Sequence, residues 1–296
     1  MQSYPKISVI TPSFNSAPFL ESAIRSVLEQ RYPNLEFIVI DGGSTDGSVD
    51  TLRHYHSALT YWVSEPDAGQ YAAINRGFSQ ATGDILCWLN ADDLLLPNAL
   101  NIIAEIFTLF PSVDWLSSLR PGTWDADGHL VKLDTLPGFS KAAFLDGLYL
   151  PTMTYKGYWL QQESTFWRRS LWQKIGGELP RASLAGDFAL WCAFYKYTEL
   201  VGLEYPLAGF RTVQGQRSEA VGEYMQESKA ALENLRLFWD WHPNSLTRAR
   251  YSSLMLLPQM KYWAQEHLGY SGQRITKKNP KIANSGWDLS SHHFLP

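Results

Sequence analysis

The sequence predicts an α/β protein: a mostly parallel central sheet, helices on both of its faces, and a helical C-terminal extension. Three observations lead there. Between Lys6 and Leu89 four short apolar runs alternate with stretches of helical periodicity, and strands separated by helices pair in parallel. Polar clusters rich in glycine and acid follow the strand runs rather than the helices, which is where ligands collect in open parallel sheets. After Gly222 the signals turn helical, as in "YMQESKAALENLRLFWDW" and "RYSSLMLLPQMKYWAQEHL".

The elements follow in order. "KISVI" is a buried strand running into the loop "TPSFN". "APFLESAIRSVLEQ" places Phe19, Leu20, Ile24, Val27 and Leu28 at helical spacing, with Pro18 suited to a first turn. "LEFIVI" is a second strand, "DGGSTDGS" a turn and "VDTLRHYHS" a helix. "LTYWVSE", "AAINRGFSQAT" and "DILCWL" read as strand, helix and strand, and "LPNALNIIAEIFTLFP" as a further helix. The alternation loosens near Phe110. "VDWLSS", "RPGTWDADGHLVKL" and "GFSKAAFLDGLYLP" read as short strands, a hairpin and loops. "QQESTFWRRSLWQKIGG" is a strand and a helix stopped by Gly176 or Gly177, and "GDFALWCAFYK" is another helix. The final stretch, "SGQRITKKNPKIANSGWDLSSHHFLP", lacks a period and reads as an extended or frayed arm.

With 296 residues, 45% hydrophobic and 18% charged, and a net charge of −4, the chain is an ordinary globular protein and a poor match for a nucleic-acid backbone. Cys87 and Cys192 sit in apolar or helical context and suggest neither a disulfide nor a metal site. The sequence has no leader-like start and no membrane-span run. A cytoplasmic location is expected.

The chemistry collects in four loops: Thr11–Asn15, Asp41–Asp46, Glu65–Gln70 and Asn90–Asp93 each leave a strand, so they meet on one rim. The turn "DGGSTDGS" has neither dinucleotide glycine spacing nor a P-loop lysine. In it Asp41 suits hydrogen bonds from a base or ribose, while Ser44 and Asp46 suit helix capping. "DILCWLNADDLLLP" ends an apolar run in adjacent carboxylates, an arrangement that asks for a cation. Asp92, with Asn90 before it, offers hard oxygens to Mg2+ or Mn2+. Asp93 fits either the metal or the cap of the next helix.

"ISVITPSFN", "IVIDGGSTDGS", "EPDAGQYAAINRGFSQATGDILCWLNADD" and "STFWRRSLWQKIGG…AGDFALW" together resemble family 2 glycosyltransferases, over about residues 6 to 218. The resemblance implies a GT-A fold and a metal-dependent inverting transfer from a nucleotide-diphosphate sugar, UDP by default. It also implies a polysaccharide-assembly role. On this basis residues 1–221 form the GT-A domain, with a nucleotide half to about residue 110 and an acceptor half from about 111, and residues 222–296 form the helical extension and tail.

By the same resemblance Thr11, Pro12 and Phe14 line the base pocket, Asp41 reaches the base, and Asp67 and Arg76 contact ribose and phosphate. Asn90, Ala91, Asp92 and Asp93 stand where the family carries its Asp-x-Asp motif, with Asp92 as the metal ligand. Asp187 matches the family's general base, and its other reading is a helix N-cap. Gln162 falls near the acceptor site, Glu163 is a rival base, and Trp167 is acceptor wall or core. In "GFRTVQGQRS", Arg211, Gln216 and Ser218 suit phosphate and Arg217 adds charge. Val213 stands where a metal-binding histidine is common, so a third protein ligand is not implied.

The expected partners are a nucleotide-sugar donor and a glycan or lipid-linked glycan acceptor. Trp239, Trp241, Tyr251, Tyr262 and Trp263, with Arg236, Arg248, Arg250 and Lys261, also suit peripheral contact at the inner face of a membrane, a lid or an oligomer contact. A catalytically silent nucleotide-sugar binder or assembly partner remains the alternative to an enzyme.

Overall fold

The computed structural model describes residues 4–150, 158–179, 184–243, 263, 266–267, 269–279 and 286–295. The first half repeats strand and helix: β1 (Ile7–Ser13), α1 (Ala17–Leu28), β2 (Leu35–Asp41), α2 (Ser48–His54), β3 (Tyr61–Ser64), α3 (Gln70–Gln80) and β4 (Ile85–Trp88). A two-residue strand β5 (Leu94–Leu95) and α4 (Ala99–Leu109) follow. The second half holds β6 (Trp115–Ser118), β7 (Gly122–Trp124), β8 (Leu130–Leu133), α5 (Lys141–Leu145), β9 (Thr165–Arg168), α6 (Arg169–Lys174) and α7 (Gly186–Tyr195). It closes with β10 (Val201–Leu203), β11 (Ala208–Arg211), α8 (Val221–Phe238), β12 (Tyr270–Lys277) and β13 (Trp287–Phe294).

Among the described residues the main sheet has the order β13-β12-β10-β6-β9-β4-β1-β2-β3, and a small sheet has the order β5-β11-β7-β8. β3, β2, β1 and β4 are mutually parallel, while β9 runs antiparallel between β4 and β6. Alternate strand residues face opposite sides, and the core divides accordingly. Ile7, Val9, Ile85, Cys87, Leu116 and Phe166 pack with α1, α2 and α4. Their neighbours Ile10, Leu86, Trp88, Trp115 and Trp167 pack with α3 and α5 to α8. On that second side Trp191 stacks on both Trp88 and Trp115, with ring centroids 6.3 and 5.6 Å apart. Much of the tryptophan content is therefore core.

Two stretches differ from the sequence reading. Lys141–Leu145 is helical, too short to display a helical period. The terminal arm is a β-hairpin whose first strand joins β10 and lengthens the main sheet. Its apolar anchors are sparse, Tyr270 and Ile275 on one strand and Trp287 and Phe294 on the other. An edge hairpin needs little more, and the polar residues between them hide the strand pattern. The stretch "RYSSLMLLPQMKYWAQEHL", read as helix, lies almost wholly outside the described residues.

The two ends of the parallel strands have different jobs. At the amino end Glu36 is buried and accepts hydrogen bonds from Ser8 Oγ, Thr82 N and Thr82 Oγ1, with Lys6 Nζ at 2.6 Å. Burial alone would raise its pKa, but these four donors overcome it and hold the carboxyl down at about 2. A carboxyl whose folded pKa lies below its unfolded value contributes stability above the unfolded pKa and loses it as pH falls through the folded one. Glu36→Gln is therefore expected to lower stability by about 3 kcal/mol at pH 7. The difference should fade between about pH 4.5 and 2 in urea titrations at several pH values.

Candidate functional site

The carboxyl ends of the strands converge. Ser13 lies opposite Asp41, Asp41 opposite Ser64, and Ile10 opposite Trp88, so the four polar loops emerge on one rim. Thr11 and Pro12 are buried in β1, and Phe14 projects from its end with 64% of its surface exposed. Phe14 borders a notch with Asp67 on the facing loop. A Cβ at Gly42 would lie 3.2 Å from an Asp67 carboxylate oxygen and 3.3 Å from the Phe14 ring, so the bare glycine keeps the notch open.

Asp41 is wholly buried beneath this notch. It accepts bonds from Gly43 N, Ser44 N, Ser44 Oγ and Ser64 Oγ, at 3.1, 2.9, 2.5 and 2.7 Å. Those bonds occupy both carboxylate oxygens and fix the turn. Asp46 accepts from Ala17 N, Ser48 N and Ser48 Oγ, tying the starts of α1 and α2 together. Arg76 pairs with Glu65 at 2.8 Å on the same rim.

The acidic segment after β4 is held from three directions. Asp93 has no exposed surface and receives Arg211 N and Asn90 Nδ2. Burial, with the charges of Glu163 and Asp92, pushes its pKa well above the ordinary carboxylate range. Asp93 does not cap α4, whose N-cap is Asn98; it binds the acidic loop to β11. The Arg211 guanidinium is buried, donating to Asp92 O, Ala126 O and Ser22 Oγ at 2.7, 2.9 and 2.9 Å. All three of its nitrogens hold the protein's own loops. Arg217 nearby is exposed.

Asp92 is half-buried, and its Oδ2 accepts from Gln216 Nε2 at 2.8 Å. The Gln216 carbonyl accepts from Val213 N, so this amide braces Asp92 at the place where the sequence lacks a histidine. Asn90 receives Gln70 Nε2 at 2.7 Å, and the other end of Gln70 receives Arg217 Nη1. Gln162 donates to Trp88 O at 2.6 Å, below Asn90. Ala91 is buried between Asn90 and Asp92.

Facing this group is Asp187, in the first turn of α7. Tyr71 fixes the start of that helix by accepting from Gly186 N and donating to Leu184 O. Asp187 Oδ1 accepts from Phe188 N at 2.8 Å and from the Tyr224 hydroxyl of α8 at 2.9 Å. Burial raises its pKa to about 6, against the lowering effect of those two donors and of Arg217. Glu163 lies between the two aspartates in effect: burial, then the charges of Asp187 and Asp92, bring its pKa up to about 8. Its buried Oε1 has no hydrogen-bond partner among the described residues.

Asn90, Asp92, Gln162, Glu163 and Asp187 thus gather in one acidic cluster, with Phe14 and Asp67 marking a notch at the rim. The Ser218 side chain lies outside what the structure describes. Tyr71 and Tyr224 are residues beside the cluster that the sequence reading missed, and Gln70 was only the last residue of a rim loop, with no role of its own. Gln70 and Tyr71 open a helix just after a rim loop, a position that could have marked them, whereas nothing in the α8 sequence ties Tyr224 to Asp187.

The cleft agrees with what the chain is similar to. The model of the family "Glycosyl transferase family 2" matches residues 8–114. An uncharacterized glycosyltransferase of Mycobacterium tuberculosis is 32% identical over 246 residues, 82% of this chain and 86% of that protein. A Bacillus subtilis glycosyltransferase named for teichuronic acid biosynthesis, TuaG, is 36% identical over 92 residues, 30% of this chain and 36% of its own. Among solved structures, S. aureus TarS 1-349 in complex with UDP-GlcNAc aligns with TM-score 0.62 and 16% identity, covering 88% of this chain and 74% of that one. The mannosyltransferase PcManGT from Pyrobaculum calidifontis, in complex with GDP-Man and Mn2+, aligns with TM-score 0.54 and 18% identity, over 88% and 84% of the two chains. These likenesses establish the GT-A fold, and the long match to the mycobacterial relative carries the family. The chain belongs to glycosyl transferase family 2.

Proposed function

We propose that this chain is an inverting glycosyltransferase that moves a sugar from a nucleotide-diphosphate donor, UDP by default, to a hydroxyl of a glycan or lipid-linked glycan. The observation that carries this reading is the gathering of acid groups from separate elements: Asp92 after β4, the buried Glu163 just before β9, and Asp187 in the first turn of α7, held by Phe188 N and Tyr224. The base stacks on Phe14 at the rim notch, and Asp67 meets the ribose. Asp41 supports the base-side turn. Arg217, exposed beside Gln70, takes the phosphate role that the committed guanidinium of Arg211 does not. Arg76 lies where it can exchange Glu65 for a phosphate.

A divalent ion fits the donor set. Asp92 offers a half-buried carboxylate with one oxygen braced by Gln216, and hard oxygens of this kind suit Mn2+ or Mg2+. Asp92 would hold the ion, which would supply positive charge to the departing diphosphate. Asp187 does the chain's own proton work. Its two bonds fall on Oδ1, which leaves Oδ2 to take the proton of the attacking hydroxyl from the acceptor side. A pKa near 6 keeps the group ionised at pH 7 yet more basic than an ordinary aspartate.

Two expectations test the assignment. UDP with Mn2+, at about 100 times its Kd, should raise the melting temperature by roughly 5 °C. Asp92→Asn should remove most of the manganese-dependent part of that shift. The pH profile of sugar transfer should fall on its acid side with a midpoint near 6. Tyr224→Phe removes a donor that favours the charged carboxylate, so it should move that midpoint up by roughly one unit. A midpoint near 4 in both proteins would reject Asp187 as the titrating base.

The acceptor's lipid link has support at the far end of α8. Leu237, Phe238 and Trp239 are exposed there, as is Tyr197 beside them, with Lys196 and Lys141 over the Phe238 and Trp239 rings at 5.2 and 4.1 Å. Aromatic rings with interleaved cations suit an anionic bilayer surface. The sequence continues in the same vein with Arg248, Arg250 and Lys261. No described helix is long and apolar enough to cross a membrane. Anionic liposomes should float the protein, and a Leu237→Ser/Phe238→Ser variant should stay behind; equal flotation of both rules this face out.

A further inference from the structure

The small sheet ends on an edge with no strand beside it among the described residues. β8 lies outermost in the order β5-β11-β7-β8. It carries Leu130, Val131 and Leu133, which are 40, 60 and 48% exposed. A single exposed leucine is ordinary. Three such side chains on one short edge strand, next to a row of unpaired backbone groups, form a template for another strand. The pairing with β7 fixes which groups make up that row. Asp134 N donates to Pro121 O, so the bond spans the residues that flank the Gly122 and Leu133 pair. This is the pattern of a non-hydrogen-bonded antiparallel pair, and the N–H and C=O of Leu133 therefore point away from β7. Leu136 N donates inward as well, to Leu119 O, which turns Thr135, between two inward residues, outward.

We infer that this edge is a self-association surface, on which β8 of a second copy of the chain pairs antiparallel about a twofold axis through Leu133. Charge selects the register. Lys132 and Asp134 flank Leu133 and reach each other at 2.7 Å, so both point to one face. An axis through Leu133 sets each Lys132 opposite Asp134 of the second copy, at non-hydrogen-bonded positions, where facing side chains come closest. An axis one residue earlier sets lysine against lysine, and one residue later aspartate against aspartate; both repel. An axis through Val131 meets the bulge that β8 carries at that residue. In the selected register Leu133 meets its own copy on the other face, and the outward backbone groups of Leu133 and Thr135 find partners. A lysine and a bulge are common guards of an edge strand. Here the bulge lies away from the axis, and the lysine has a counter-ion two positions on, so the charges choose a partner that carries the same sequence. A contact of about five residues a side buries well under the roughly 800 Å² per partner of a standard interface. The dimer is accordingly weak, with a Kd on the order of 100 µM. Nothing in this pairing depends on the sugar-transfer reading.

Sedimentation velocity of the full chain over about 5 to 500 µM brackets that Kd and tests the pairing. The native sedimentation coefficient should rise with concentration toward that of a dimer. Lys132→Asp turns two attractive pairs into two repulsive ones and should weaken association about tenfold. The swap Lys132→Asp/Asp134→Lys restores opposite charges and should return the Kd to within about threefold of the native value. Leu133→Pro removes an outward N–H and no bond to β7, so it should abolish association while the melting temperature stays within a few degrees of native. A native protein that sediments as a monomer throughout overturns the surface. So does association that Lys132→Asp or Leu133→Pro leaves unchanged, or a swap that remains as weak as Lys132→Asp.

Discussion

Asp187→Asn should lower sugar transfer by 10²- to 10⁴-fold, about 3 to 5 kcal/mol of transition-state stabilisation, while UDP binding in the presence of Mn2+ stays unchanged. An amide keeps the size of the carboxylate and can still accept from Phe188 N and the Tyr224 hydroxyl, so the start of α7 should hold its shape. What it loses is the capacity to take a proton. Stability should move the other way. The folded pKa of Asp187 is raised to about 6 from 3.8, so the ionised carboxylate burdens the fold above pH 6, and the burden lifts as pH falls through 6 toward 3.8. The asparagine variant is therefore expected to melt no lower than the native protein at pH 7.5. Unchanged turnover would remove Asp187 from the chemistry. Loss of both turnover and UDP binding would make it a structural residue.

The second large effect belongs to Arg211. Its side chain joins Ser22 of α1, the carbonyl of Asp92 and the turn at Ala126, and lies 5.1 Å from the centre of the Phe19 ring. Removing it strands three acceptors and opens a buried space. Arg211→Ala should cost about 3 to 5 kcal/mol, a fall in melting temperature of roughly 10 °C. Arg211→Lys should recover only part of this, because an ammonium lacks the planar fork that reaches three loops at once. Since one of those loops carries Asp92, metal-dependent nucleotide binding should weaken in both variants, which calorimetry at a temperature well below melting can measure. A melting temperature within a degree or two of the native value would mean that Arg211 is free to serve a ligand.

Much of this was legible in residue order alone. The β-branched runs and the loops that leave them placed the parallel strands, the rim and the Asn90–Asp93 segment on it, because periodicity and strand exits are local properties; Phe14, Asp67 and Asp187 were singled out by the family resemblance instead. Partnership across the fold was not legible. Asp41 and Arg211 look like ligand groups in sequence, and both are saturated by protein atoms in three dimensions. Tyr224 reaches Asp187 across 37 positions of chain, and no local pattern encodes such a contact. The hairpin at 270–294 escaped for a related reason: its pairing with β10 comes from tertiary packing, and its own polar residues give no period.

The place of the metal is the most direct test of the cleft. Crystals soaked with Mn2+ and UDP, measured at the manganese absorption edge, should give an anomalous peak within ligand distance of an Asp92 carboxylate oxygen and of the nucleotide diphosphate, on the side of the cleft that faces Asp187. A bound nucleotide with no peak at Asp92, or manganese only at the surface turn of Asp125, Asp127 and His129, would contradict a metal-assisted transfer site here.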